Sequence, residues 1–138
     1  MNPRYLLDTN VASEPTRREP APGVLRRLAE HREELAIAAP VWHELRFGCQ
    51  SLPPSRRRDA IETYLSRVVG ASMPILDYDR RAAEWHAGER ARLRAAGRTP
   101  PFIDGQIAAI ARVNDLTLVT RNQRDFRWFE GLRLERWE

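Results

Sequence analysis

Short, unbroken apolar runs alternate along the chain with longer stretches in which apolar residues recur every three or four positions. Tyr5–Leu7 predicts a buried strand that stops at Asp8. The segment 20–23 opens a helix with Val24, Leu25 and Leu28 on one face. Leu35–Ala38 predicts a second strand, and Pro40 suits the first turn of a helix running toward Gly48. Pro53 and Pro54 interrupt the chain. Ile61, Leu65 and Val68 then follow at i, i+4 and i+7, a helical stripe. Residues 73–76 form a third candidate strand, weakened by Pro74. Asp79 is placed to cap a long helix ending near Gly97. After Pro100 and Pro101, the spacing of Ile103, Ile107 and Ile110 predicts a helix to about Asn114. Residues 116–119 predict a fourth strand, and 132–134 an edge strand.

This order predicts an α/β fold: a mostly parallel central sheet flanked by helices on both faces, as a single domain over residues 1–138. Ligands of such sheets bind beyond the carboxyl ends of the strands. Asp8 follows the first strand, and Asn122 and Asp125 follow the fourth. Asp115 precedes the fourth strand and is expected at the opposite end of the sheet, away from any site.

Composition narrows the classes. No apolar run approaches the roughly 18 residues that cross a bilayer. The longest, 35–42, contains Pro40. The N-terminus lacks a signal-peptide layout, so a cytosolic protein without membrane association is expected. Cys49 is the only cysteine, which excludes an internal disulfide and a cysteine-based zinc site. The net charge is +4, and all 23 basic residues are arginine. Arginine binds phosphate bidentately, and a basic balance suits a polyanionic partner. A GC-rich coding sequence explains the absence of lysine better than function does, and the positive balance remains as the hint at such a partner.

Three acids stand out. Asp8 opens Asp8-Thr9-Asn10 at a strand tip. Glu44 lies about one turn into its helix. Asp104 begins the helix bearing Ile107, with Ile103 and Ile107 turning it partly inward. Each alone has a structural reading, as a cap or a solvated helix position. Together, the topology lets them converge, and convergent carboxylates repel unless a cation neutralises them. Mg²⁺ or Mn²⁺ prefers oxygen ligands and can activate water against a phosphodiester.

Four segments carry a family resemblance: Leu6-Leu7-Asp8-Thr9-Asn10-Val11 continuing to Ser13-Glu14; Ala39-Pro40-Val41-Trp42-His43-Glu44-Leu45-Arg46-Phe47-Gly48; Asp104-Gly105-Gln106-Ile107-Ala108-Ala109; and Leu118-Val119-Thr120-Arg121-Asn122 with Asp125-Phe126. In this order and spacing the chain resembles the PIN-domain nucleases, specifically the VapC-type toxins of toxin–antitoxin pairs. The resemblance implies a Mg²⁺- or Mn²⁺-dependent endoribonuclease, usually a homodimer, acting on RNA and silenced by a VapB-like antitoxin. It also implies Asp8, Glu44 and Asp104 as the catalytic, metal-binding acids. Some family members carry aspartate where this chain has Asn122. Asn122 and Asp125 are therefore additional candidate ligands, and the number of metals stays open.

Arg121 and Arg124, beside the expected crevice, are candidate ligands for substrate phosphate. From 80 to 98, Arg80, Arg81, Arg90, Arg92, Arg94 and Arg98 are offset only by Glu84 and Glu89, which suits a phosphate-binding or partner surface. Arg56–Arg58 reads as a solvated face. His43 reads as structural or rim, since helix neighbours point about 100° apart. Trp42, Trp85, Trp128 and Trp137 suit packing or partner contact before base stacking. Ser13 and Thr120 are candidates for positioning ligands or for capping. Receiver domains and Walker NTPases need a lysine that is absent, and no nucleophile elbow exists. The competing function is a PIN-like domain that binds RNA or a partner without cutting.

Overall fold

Tyr5, Leu6 and Leu7 are all buried, as are the four residues of Leu35–Ala38. Strands with no wet face need cover on both sides. The computed structural model, which describes residues 2–138, provides it. Five strands, β1 (Tyr5–Leu7), β2 (Leu35–Ala38), β3 (Ile75–Leu76), β4 (Thr117–Val119) and β5 (Leu134–Glu135), form one sheet in the order β3-β2-β1-β4-β5. Every pairing is parallel.

The helices are α1 (Thr9–Ala12), α2 (Pro22–Glu30), α3 (Ala39–Gln50), α4 (Arg56–Tyr64), α5 (Gly70–Ser72), α6 (Arg80–Ala95), α7 (Phe102–Val113) and α8 (Gln123–Phe126). A 3₁₀ turn, Glu14–Thr16, follows α1, and a π-helical segment, Leu65–Val69, continues α4. Asp79 caps α6 by accepting the Ala82 N–H at 2.9 Å. Leu6, Leu7, Ile37 and Leu118 form the sheet's contribution to the core, covered by Ile107, Ala108, Ile110 and Ala111 of α7. Trp137 is fully buried beyond β5, with its ring edge-on to Tyr5 at 5.2 Å. Among the described residues no helix is long and apolar enough to cross a membrane.

Several expectations shift. Val68 is 46% exposed, and Leu65 and Val69 take the buried positions. The π-helical turn holds an extra residue, which rotates the apolar stripe by one position. Ile103 is also exposed, so the inward face of α7 begins at Gly105. β3 retains only Ile75–Leu76 of the expected 73–76; Pro74 has no N–H to pair, although its carbonyl accepts from Ile37 at 3.0 Å. The edge strand lies at Leu134–Glu135 rather than at 132–134.

From β1 the chain steps outward to β2 and β3, then returns to the other side of β1 for β4 and β5. The strand order therefore reverses between β1 and β4, the place where such sheets open a crevice at their carboxyl ends.

Candidate metal centre

Asp8 sits at that reversal. Its backbone N–H donates to the Val119 carbonyl at 2.9 Å, which pins it against the end of β4. Its Oδ1 accepts the Thr9 N–H at 2.9 Å, capping α1. Its Oδ2 accepts the Thr120 hydroxyl at 2.7 Å. Thr120 is fully buried, and its Oγ1 also accepts the Asn122 N–H at 2.9 Å. One hydroxyl thus fixes the rotamer of Asp8 and the loop leading to Asp125. The capping and positioning readings of these residues are both realised.

Asp104 lies in the first turn of α7. Burial, then the charges of Asp8 and Asp125, push its carboxyl up from 3.8 to about 6. The shift is the electrostatic record of convergence: acids separated by about 20 and 100 residues in the chain act on one another through the fold. Asn122 donates its side-chain amide to Asp125, which orients that carboxylate. Among the described residues no arginine pairs with Asp8, Asp104 or Asp125.

The charges that raise Asp104 are those of Asp8 and Asp125. Glu44 lies on α3, which packs against α1 and α7. Its Oε1 is 3.7 Å from His43 Nδ1, and His43 is exposed and stacks toward Phe47. Among the described residues no three His, Cys, Asp or Glu side chains form a closed metal-holding group. The donor set is nevertheless all oxygen. Mg²⁺ keeps several waters and is held by one or two carboxylates plus substrate phosphate, not by a full protein cage. Asp8 and Asp104 fit that mode of binding, with Asp125 beside them.

Arg121 and Arg124 separate. The Arg121 guanidinium is paired with Glu14, a fully buried carboxylate that also accepts the Ala21 N–H at 3.0 Å and Arg17 at 3.4 Å. Burial pushes the Glu14 carboxyl up, but these donors together hold it below the usual range. Arg121 is thereby committed to holding the β4–α8 loop against the 3₁₀ turn. Arg124 is exposed on α8 and lines a cleft of about 430 Å³ beside Asp125. Asp115 pairs with Arg133 at 2.9 Å, away from the acids.

Two contributors carried little sequence signal. Glu14 falls in the first motif but carries no role there, and its burial and pairing with Arg121 give it one. Gly105 matters because a Cβ there would lie 2.1 Å from His86 Nε2. Its absence lets α6 pack directly against the turn that bears Asp104. His86 is itself buried and shares a 2.8 Å hydrogen bond with Tyr78.

A family model described as PIN domain matches residues 5–131. The tRNA(fMet)-specific endonuclease VapC of Shigella flexneri is 35% identical over 136 residues, covering 97% of this chain and 98% of the relative. A DNA-bound VapBC structure from Salmonella typhimurium superposes with a TM-score of 0.85 at 25% identity, covering 99% of each chain. VapBC-5 of Mycobacterium tuberculosis, a member of the VapBC family of toxin–antitoxin systems, superposes with a TM-score of 0.70 at 27% identity, over 97% of this chain and 98% of that one.

Proposed function

The chain belongs to the PIN-domain family, and we propose on that footing that it is a Mg²⁺- or Mn²⁺-dependent endoribonuclease, the toxin of a toxin–antitoxin pair. The observation that carries the reading is the placement of Asp8 at the reversal of strand order, tied to β4 through Val119 and Thr120, with Asp104 in the first turn of α7 and its carboxyl raised by Asp8 and Asp125. Asp8 and Asp104 would hold the ion, with Asp125, Asn122 and Glu44 as further oxygen donors. When bound, the ion supplies a Lewis acid that activates water and stabilises charge on the phosphodiester oxygens.

The chain's own residues do the rest. Thr120 and the Thr9 N–H hold Asp8 in one rotamer, each donating to one of its oxygens and leaving the remaining lone pairs for an ion. Asn122 orients Asp125, and the Glu14–Arg121 pair anchors the loop that carries both. Asp104, with its carboxyl near 6, is largely ionised at neutral pH and competent as a ligand. Arg124, exposed on the rim and without a carboxylate partner among the described residues, offers bidentate donors to phosphate.

The Shigella relative's name points to transfer RNA as the first substrate to assay, and the VapBC structures support a VapB-like antitoxin as partner. A homodimer in the cytosol completes the reading. One observation favours a binding-only alternative: Asn122 is neutral where some family members carry aspartate.

Incubation of the purified chain with total RNA separates the two. The expected result is cleavage with Mg²⁺ or Mn²⁺ that EDTA or Asp8→Asn abolishes. Cleavage indifferent to both would remove the metal mechanism, and RNA binding without cleavage would favour the alternative.

A further inference from the structure

The arginine excess between residues 80 and 98 resolves into two groups. Arg80 pairs with Glu84, Arg81 with Asp79, and Arg92 with Glu89. Arg92 is further locked by a 2.9 Å bond to the Trp128 carbonyl. Among the described residues Arg90, Arg94 and Arg98 have no carboxylate partner; Arg90 and Arg94 lie one turn apart on α6, and Arg98 follows its end. The i, i+4 spacing places the guanidinium groups of Arg90 and Arg94 on one face, about 6 Å apart along the axis, and the Gly97 turn brings Arg98 to the same cleft. That face lines a cleft of about 600 Å³, which adjoins the 430 Å³ cleft beside Asp125 and shares Arg98, Thr99 and Pro100 with it. Arg124 and Arg127 line the second cleft and are also without carboxylate partners among the described residues.

Helix polarity explains only part of this. A macrodipole favours cations in the last turn of α6. It gives no reason for Arg98 beyond that helix, or for Arg124 and Arg127 on another element. The aromatic neighbours supply the remaining clue. Arg90 lies over Phe102 at 5.1 Å, and Arg98 over Trp128 at 3.4 Å from guanidinium carbon to ring centre. Stacking on a ring orders a guanidinium while leaving its N–H edges free. Phe102 and Trp128 are themselves 48% and 37% exposed, so the trough combines ordered cations with aromatic surface. A charged groove interleaved with aromatic rings is the arrangement that tracks a single-stranded backbone.

We propose that this continuous trough, from Arg90 and Arg94 through Arg98 to Arg124 and Arg127, binds the single RNA strand flanking the bond that the acidic group cuts. The inference rests on the ribonuclease reading. It adds a direction: the strand leaves the acids past Asp125 and runs along the C-terminal half of α6.

Binding of a labelled single-stranded RNA to the Asp8→Asn chain in EDTA, measured by anisotropy across salt concentrations, tests it. Each lost single-strand phosphate contact lowers the salt slope by about 0.7, so Arg90→Ala/Arg94→Ala/Arg98→Ala should flatten it by about 2. The deficit against the parent then shrinks roughly 20-fold between about 50 and about 200 mM salt. The matched lysine triple should restore the slope, because the slope counts charges. Arg18→Ala/Arg32→Ala/Arg67→Ala, equal in charge but elsewhere, should leave it in place. An unchanged slope in the trough variant overturns the track and points to a protein partner instead. So does equal flattening in the remote variant, or a lysine triple as flat as the alanine one. In each of those cases metal-dependent cleavage by the unsubstituted chain would leave the nuclease reading standing. A chain that neither binds nor cuts RNA would sink both.

Discussion

Asp104→Asn should stabilise the metal-free protein while destroying the proposed activity. The wild-type carboxyl is held at about 6, against an ordinary 3.8, by burial and by Asp8 and Asp125. A shift of about two units corresponds to roughly 3 kcal/mol of preference for the protonated form. Asp104 is only partly buried, so solvent screening reduces the recoverable part to about 1–2 kcal/mol. The folded value lies above the unfolded one, so ionisation weakens the fold. That penalty is absent below about pH 3.8, grows toward pH 6 and is complete above it. Asparagine keeps the shape and removes the charge. In EDTA near pH 7.5 the variant should melt about 3–6 °C above wild type. Near pH 4, where folded wild-type Asp104 is protonated, the gain should nearly vanish. Added Mg²⁺ or Mn²⁺ should raise the melting temperature of wild type, through linkage, far more than that of the variant. Thermal melts followed by circular dichroism at the two pH values decide the matter. A variant no more stable than wild type at pH 7.5, or a gain undiminished near pH 4, would refute the repulsion argument.

Thr120→Val removes a buried hydroxyl that donates to Asp8 and accepts from Asn122. It should lower stability by about 1–3 kcal/mol and reduce kcat roughly 10- to 100-fold, as loss of a ligand's supporting partner does; Thr120→Ser should recover most of kcat, and an unaffected kcat would show that the hydroxyl does not position Asp8. Glu14→Gln weakens the buried pairing with Arg121 and should lower stability by roughly 1–3 kcal/mol at neutral pH. Because the Glu14 carboxyl is held below 4.5, wild type should lose this contribution as pH falls below that value, and denaturant unfolding of the two proteins should converge there.

Period and punctuation alone determined the order of elements and the parallel sheet. The fully apolar Tyr5–Leu7 and Leu35–Ala38 read correctly as buried strands because no other short element tolerates such runs. Asp8 and the segment from Asn122 to Asp125 could be assigned to one edge, and Asp115 to the other, because a parallel sheet gives every strand the same sense. The four segments of family resemblance likewise lie in the chain itself.

Local pattern could not foresee the exposed Val68, because a π-helical turn changes the register without changing composition. Nor could it separate Arg121 from Arg124. Both follow β4, and only packing brings the buried Glu14 against one of them. The same holds for the basic run of α6, where sequence counts charges but pairing decides which remain free. Among the acids, the chain named Asp8, Glu44 and Asp104, with Asp125 as a further candidate, and the fold couples Asp104 to Asp8 and Asp125. Coulombic coupling depends on distance and burial, and both are properties of the assembled fold, not of spacing along the chain.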